Sequence, residues 1–184
     1  MKGKKVLLVD ADEQQSARDW GNQRKSSPLY NPSDLSVFTA SSQTLLEMKR
    51  DSYDDIFVDV GGRDTRNQRA ALIISDVFLI PFRPRSFDIW TIASLIEMIN
   101  DVRKVNPNLK CYACLNQADA KGKDNEDAKK IILENPEFIF LDTFIVQRKC
   151  FSNATADGLS VLELKVGNKT ASEEIYNLYQ KIYE

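Results

Sequence analysis

Short apolar runs alternate with helix-patterned segments along the whole chain, and this alternation restricts the fold more than any other feature. Residues 5–9 (KVLLV) lead into Asp10-Ala11-Asp12, and 36–39 (SVFT) follow the turn-rich stretch 26–34 (SSPLYNPSD). Residues 55–60 (DIFVDV) lead into Gly61-Gly62, and 76–82 (DVFLIPF) carry Pro81. Residues 110–116 (KCYACLN) end on Asn116, and a further run covers 138–144. Short apolar runs bounded by turn formers read as buried strands. The intervening patterns predict helices over 13–25, 41–50, 65–74, 86–104, 124–134, 150–157 and 171–183. The longest carries Ile89, Ile92, Ala93, Ile96 and Ile99 on one stripe. Strands buried on both faces and alternating with helices imply an α/β fold: a mostly parallel sheet with helices on both faces, as a single domain over 1–184. Ligands of such sheets sit beyond the carboxyl ends of the strands. Asp10, Asp12, Asp59, Gly61, Pro81 and Asn116 fall there.

Composition removes several chemistries. The 184 residues contain no histidine, which excludes Ser–His and Cys–His nucleophile pairs and His-ligated zinc. Lys plus Arg total 25 against 27 Asp plus Glu, so contact with nucleic acid would need a local basic patch. Candidates are Arg63, Arg66 and Arg69, Arg83 and Arg85, and Arg148-Lys149. The three cysteines, with no signal-like segment, suggest a reducing cytoplasm. Cys111 and Cys114 form C-x-x-C inside a strand pattern, where residues three apart point to opposite faces, so they read as buried apolar residues rather than a chelating pair. No apolar run approaches the roughly 20 residues of a membrane-spanning helix.

The carboxylates carry the main functional signal. Strand-end aspartates can hold magnesium, or orient a water beside a phosphate; singly, they often cap a helix or turn instead. Three at corresponding strand ends favour a functional cluster. Gly61-Gly62 after the second of these strands would let backbone N–H groups approach a phosphate.

These segments resemble ParA-type partition ATPases of the ParA/MinD superfamily. KKVLLVDADEQQSARDW resembles the family segment written VLLVDADPQGSATDW. DDIFVDVGGRDTRNQRAALIISDVFLIPFRPRSFDIW is similar to its Walker B, second switch and next strand, CLNQAD to its LNRxD strand end, and TFIVQRKCFSNATADGLSVLEL to its closing Ile-x-x-Arg and AxxxGxSVxEL. The resemblance covers nearly the whole chain and looks closest to the small plasmid type. It implies ATP and Mg2+ as ligands, with Asp12 orienting the hydrolytic water and Asp10 and Asp59 at the metal. Gly61, Gly62 and Arg63 would form the second switch, and Asn116 would lie at the adenine. It also implies self-association, nonspecific DNA and a centromere-binding partner protein, in the cytoplasm or on the nucleoid.

Two departures stand out. The family's opening strand, KGGxGKT phosphate loop and first helix have no counterpart here, and Glu13 replaces the usual Pro. Lys2-Gly3-Lys4-Lys5 cannot substitute for the loop, because a strand follows it where a helix N-terminus is needed. Weak ATP binding and negligible turnover by this chain are therefore expected. In the family the opening strand lies between those at 55–60 and 76–82. Without it, these two should pair directly or take a strand from a partner. Two other readings remain open: a phosphoacceptor receiver with Asp59 as acceptor, although Pro81-Phe82 and Asn116-Gln117 stand where a receiver carries Thr or Ser and Lys-Pro, and a non-enzymatic remnant that binds partners.

Overall fold

The run VLLVD forms β1 (Val6–Asp10), which pairs in parallel with β2 (Leu35–Thr39) on one side and β3 (Asp55–Asp59) on the other. The computed structural model describes residues 4–30, 35–48, 51–62, 66–84 and 89–183, which divide into two compact units. The first unit comprises Met1–Ile74 and Thr155–Leu159, the second Ser75–Ala154 and Ser160–Glu184. Both units are parallel three-stranded sheets with helices, in agreement with the expected fold class.

In the first unit, Leu7, Val9 and Ala11 bury one face of β1 against Leu45 of α2 (Ser42–Leu46) and Ala70 and Ala71 of α3 (Arg66–Ile74). Helix α2 begins where the sequence placed it, because the Ser41 hydroxyl accepts the Thr44 N–H at 3.3 Å. It stops at Leu46, short of the expected residue 50.

Helix α1 (Ser16–Lys25) is of another kind. Its sequence, SARDWGNQRK, has no apolar stripe, and its one buried residue is Gly21. A Cβ there would come within 2.7–2.9 Å of Val37, so the missing side chain is what lets α1 lie on β2. Gly158, with φ +65°, presses on the other end of the helix: a Cβ would lie 2.4 Å from the Arg24 nitrogen and 2.6 Å from its Cα. Arg24 in turn donates to the Gly158 carbonyl at 3.0 Å and covers the half-buried Trp20 ring at 5.5 Å.

In the second unit, β4 (Val77–Phe82), β5 (Lys110–Ala118) and β6 (Ile139–Val146) form a parallel sheet with β5 in the centre. On β5, Cys111, Ala113 and Leu115 alternate with Cys114 and all four are buried, so both faces are covered. Burial pushes the Cys114 thiol up to about 11, and it raises Cys111 against the lowering influence of Arg103. Both cysteines are the apolar fillers the sequence suggested. Helix α4 (Ile89–Arg103) buries Ile92 and Ile99 as expected. Ala93 is exposed, and Met98 and Val102 are the further buried contacts. Helix α5 (Lys123–Leu133) buries Ala128 and Ile132, and α7 (Lys169–Tyr183) packs along β6. Between α6 (Lys149–Ala156) and α7, a 3-10 turn at Val161–Glu163 carries a complete capping box of Ser160 and Glu163.

Of the two expected alternatives, direct pairing is corrected, and a strand taken from a partner stays a proposal. Strands β3 and β4 do not pair: β3 has β1 as its sheet partner and β4 has β5, so each is an edge strand of its own sheet. Pro81, which has no N–H to give a ladder, sits on β4 at an edge, where it is tolerated.

Gly158→Ala is expected to destabilise the protein by about 2–4 kcal/mol, because an unfavourable φ adds to a backbone clash. Urea unfolding followed by far-UV circular dichroism measures it. An Ala at the exposed neighbour Asp157 should change stability by less than about 0.5 kcal/mol.

Candidate functional site

At the carboxyl end of β1, Asp10 is 2% exposed, and a carboxylate so buried must find hydrogen-bond donors. Its Oδ2 accepts the Arg18 N–H at 2.7 Å and its Oδ1 accepts the Asp12 N–H at 3.1 Å. Arg18 lies in the first turn of α1, and Gln15, the residue that caps this helix, supplies no side-chain bond. Asp10 is therefore a helix cap delivered from the neighbouring strand, at the positive end of the helix dipole. Both of its oxygens hold backbone in the structure, and each keeps a further lone pair with which it could also meet a metal.

Asp12 follows in a tight turn. Its Oδ1 accepts the Gln14 N–H at 3.1 Å, its carbonyl accepts the Gln15 N–H at 3.1 Å, and Gln15 takes the left-handed φ of 55°. The Asp12 carboxyl rests against Gly61, where a Cβ would lie 3.4–3.5 Å from its atoms. A Cβ on Gly62 would meet nothing within 4 Å. The two glycines that the sequence grouped together thus differ: only Gly61 touches an acidic residue. Arg63 and Arg85 lie outside the described residues.

Asp59 ends β3 directly opposite Asp10 in the parallel register, and its carbonyl accepts the Ala11 N–H at 2.8 Å. The residue is exposed overall. Partial loss of hydration, and then the negative charge of Asp10 and Asp12, hold its carboxyl above the usual range. So β1 and β3 do bring the three predicted carboxylates to one strand end. Among the described residues, no three His, Cys, Asp or Glu side chains are grouped closely enough to hold an ion alone. Magnesium commonly takes one or two protein carboxylates and completes its shell with water and phosphate oxygens. Asp59 fits that role, since a cation would relieve its crowding, and Asp12 is adjacent.

Sequence reasoning missed Asn67. From the first turn of α3, its Nδ2 donates to the Ala11 carbonyl at 2.9 Å. Lys4, considered above as part of a basic start, instead pairs with Asp55 at 3.0 Å, at the amino ends of the strands and away from the carboxylates.

Asn116 belongs to the second unit. Where the β5–β6 register shifts, Gln117 takes a φ of 52°, and its N–H donates to Asn116 Oδ1 at 3.0 Å. Such an irregularity at a strand end re-aims the side chains beside it. Asn116 lines a cleft of about 470 Å3 within this unit, walled by Leu79, Cys114 and Ile175 and edged by Gln117 and Gln147. Arg148, listed above among basic residues for phosphate or DNA, is occupied. Its guanidinium grips Glu174 of α7 with two bonds of 2.5 and 2.7 Å, and Glu174 also accepts the Val146 N–H. This charge-assisted pair raises the Arg148 pKa further and fastens α7 to β6.

No family profile matches the chain. The protein "Maintenance of carboxysome distribution protein A" from Halothiobacillus neapolitanus is 30% identical over 182 residues, covering 97% of this chain and 82% of that protein. The chain belongs to the ParA/MinD family of partition and positioning ATPases. Solved structures agree on the fold. Apo McdA from Cyanthece superposes with a TM-score of 0.76 at 14% identity, over 98% of this chain and 88% of that one. A plasmid partition protein from Borrelia burgdorferi bound to AMPPNP gives 0.65 at 19% identity, over 97% and 85%. With the ParA/MinD assignment, the closing motif acquires physical content. In A-x-x-x-G-x-S-V-x-E-L, Ala154 and Val161 are buried, Gly158 supplies the left-handed turn against α1, and Ser160 and Glu163 cap one another.

The crowding of Asp59 gives a pH prediction. Its carboxyl is raised in the folded state above the unfolded value of 3.8, so ionising it opposes folding at neutral pH. This destabilisation disappears as pH falls through the raised value toward 3.8. Asp59→Asn should therefore raise the melting temperature at pH 7, and the difference from the native chain should vanish near pH 3.5. Thermal melts across that range check it.

Proposed function

We propose that this chain is a partition or positioning protein that moves a DNA or protein cargo under control of ATP, with the carboxylate end of β1 and β3 as its nucleotide-facing site. The convergence of Asp12, Asp59 and Gly61 beside the buried Asp10 is the observation that carries this reading. Asp59 would face magnesium, directly or through water. Asp12, oriented by its turn, would accept a hydrogen bond from the attacking water, and Asp10 holds the Asp12 backbone N–H. Asn116, at the polar edge of its cleft, would meet the adenine edge, and Gly61, Gly62 and Arg63 would form the segment that responds to the γ-phosphate. Magnesium, when bound, supplies charge neutralisation for the phosphates.

The 184 residues carry the carboxylate part of such a site and contain no KGGxGKT sequence. Charge-assisted phosphate contacts are each worth about 1.5–3 kcal/mol, and several are needed to pass from millimolar to micromolar affinity. ATP binding by these residues alone is accordingly weak and turnover slow. The open edges of β3 and β4, and the half-exposed Phe57 on β3, support self-association. Nonspecific DNA and a centromere-binding or cargo-linked protein would be the partners.

Calorimetry with Mg·ATP tests the reading. Binding in the millimolar range is expected, dependent on Mg2+, lost in Asp59→Ala and kept in Asp12→Ala. Binding indifferent to Mg2+ or to Asp59→Ala would contradict it, and micromolar binding would contradict the expected weakness of these residues alone.

A further inference from the structure

We propose that Asn67 is a positioning residue for Asp12, and that it ties the start of α3 to the acidic loop. The proposal rests on the nucleotide-facing reading of that loop. The peptide unit between Ala11 and Asp12 is held at both of its polar atoms. Its carbonyl accepts from Asn67 Nδ2 at 2.9 Å, and its N–H donates to Asp10 Oδ1 at 3.1 Å. The preceding N–H, of Ala11, donates to the Asp59 carbonyl at 2.8 Å. Fixing both ends of a planar peptide unit fixes the direction in which the next Cα–Cβ bond leaves, and that bond carries the Asp12 carboxylate. Two of these three ties come from the chain rigidly attached to it in sequence or strand pairing: Asp10 on β1 and Asp59 on β3. The third, Asn67, comes from a helix 56 residues away, beyond the glycine pair.

Gly61 adds a second contact from the same stretch, because it lies against the Asp12 carboxyl itself. Gly61 and Asn67 therefore approach Asp12 at the side chain and at the peptide unit before it. A shift of the α3 start withdraws the Asn67 amide and leaves the Ala11 carbonyl without that donor. The Asp10 bond then remains as the only side-chain tie on this peptide unit. Any ligand that moves Gly61 or the start of α3 thereby redirects Asp12 without touching it. Asn67 itself contacts neither water nor phosphate in this account.

The test uses two variants of the full chain. Asn67→Ala removes the donor and the side-chain volume, while Asn67→Asp keeps the shape, exchanges the donor for an acceptor and adds a negative charge. Amide hydrogen exchange without nucleotide is the first readout. Both variants should speed exchange at Asp12 and Gln14 about tenfold and leave the β1 amides Leu7–Val9 at the native rate. Native exchange at Asp12 and Gln14 in Asn67→Asp, or equal acceleration across β1 and α3, would overturn the proposal; the second result would mark Asn67 as merely structural. Turnover of Mg·ATP at high protein concentration is the second readout, with kcat expected to fall several-fold at unchanged KM. Absence of any Mg2+-dependent ATP binding by the native chain would count against the proposed function, and the exchange result would still decide the role of Asn67.

Discussion

A single buried charge organises the functional end of the first unit. Asp10 leaves water at the end of β1, and backbone N–H groups of Asp12 and Arg18 compensate it. Helix α1 depends on this more than helices usually do, since it offers no apolar face to the sheet. Its position rests on three particular contacts: Asp10 at its amino end, Gly21 against Val37 in its middle, and Gly158 with Arg24 at its carboxyl end. The Asp12 turn lies between the Asp10 side chain and the helix that it caps. Removing either donor or acceptor would leave a buried polar group unpaired, at a cost of about 1–3 kcal/mol for each group.

The same geometry explains how charges of one sign can share a strand end. Asp10 is stabilised as a charge by backbone donors and a helix dipole, and that charge still reaches Asp59. Asp12 is held to a turn, and the carboxyl of Asp59 is raised by partial loss of hydration and then by the charges of the other two. An arrangement that is unfavourable by itself and relieved by a cation is what a magnesium-dependent family member would use, at a modest expense in stability.

Much of this was legible in the sequence, and the gaps have physical reasons. The strands were visible because most carry apolar residues on both faces, as in Cys111–Leu115. Helix α1 was visible only as a polar stretch, since what fixes it is the absence of a side chain at Gly21 and Gly158. The clustering of Asp10, Asp12 and Asp59 followed from their places at strand ends, because parallel register aligns such ends. The separate task of Asp10 did not follow: sequence does not say whether a strand-end carboxylate faces a ligand or a helix N-terminus. Asn67 and the Arg148–Glu174 pair were hidden for a related reason. Each acts on a group remote in sequence, and neither side chain sits in a pattern that marks its partner. Ser160 and Glu163 show the reverse, since S-x-x-E is a local signal whose capping box formed as the spacing allows. Direct pairing of β3 with β4 was one of two expected outcomes, drawn from ordinary crossover rules, and among the described residues each is instead an edge strand of its own sheet.

The measurement that bears most directly on this account is backbone amide exchange in Asp10→Asn at neutral pH. The substitution keeps the shape, removes the charge and turns one acceptor into a donor. The account predicts that Arg18 and Asp12 lose their protection and the first turn of α1 frays, while β5 amides from Cys111 to Leu115 exchange as before. Native protection at Arg18 in this variant would show that the buried carboxylate does not hold the helix, and the organisation of the acidic site would need another cause.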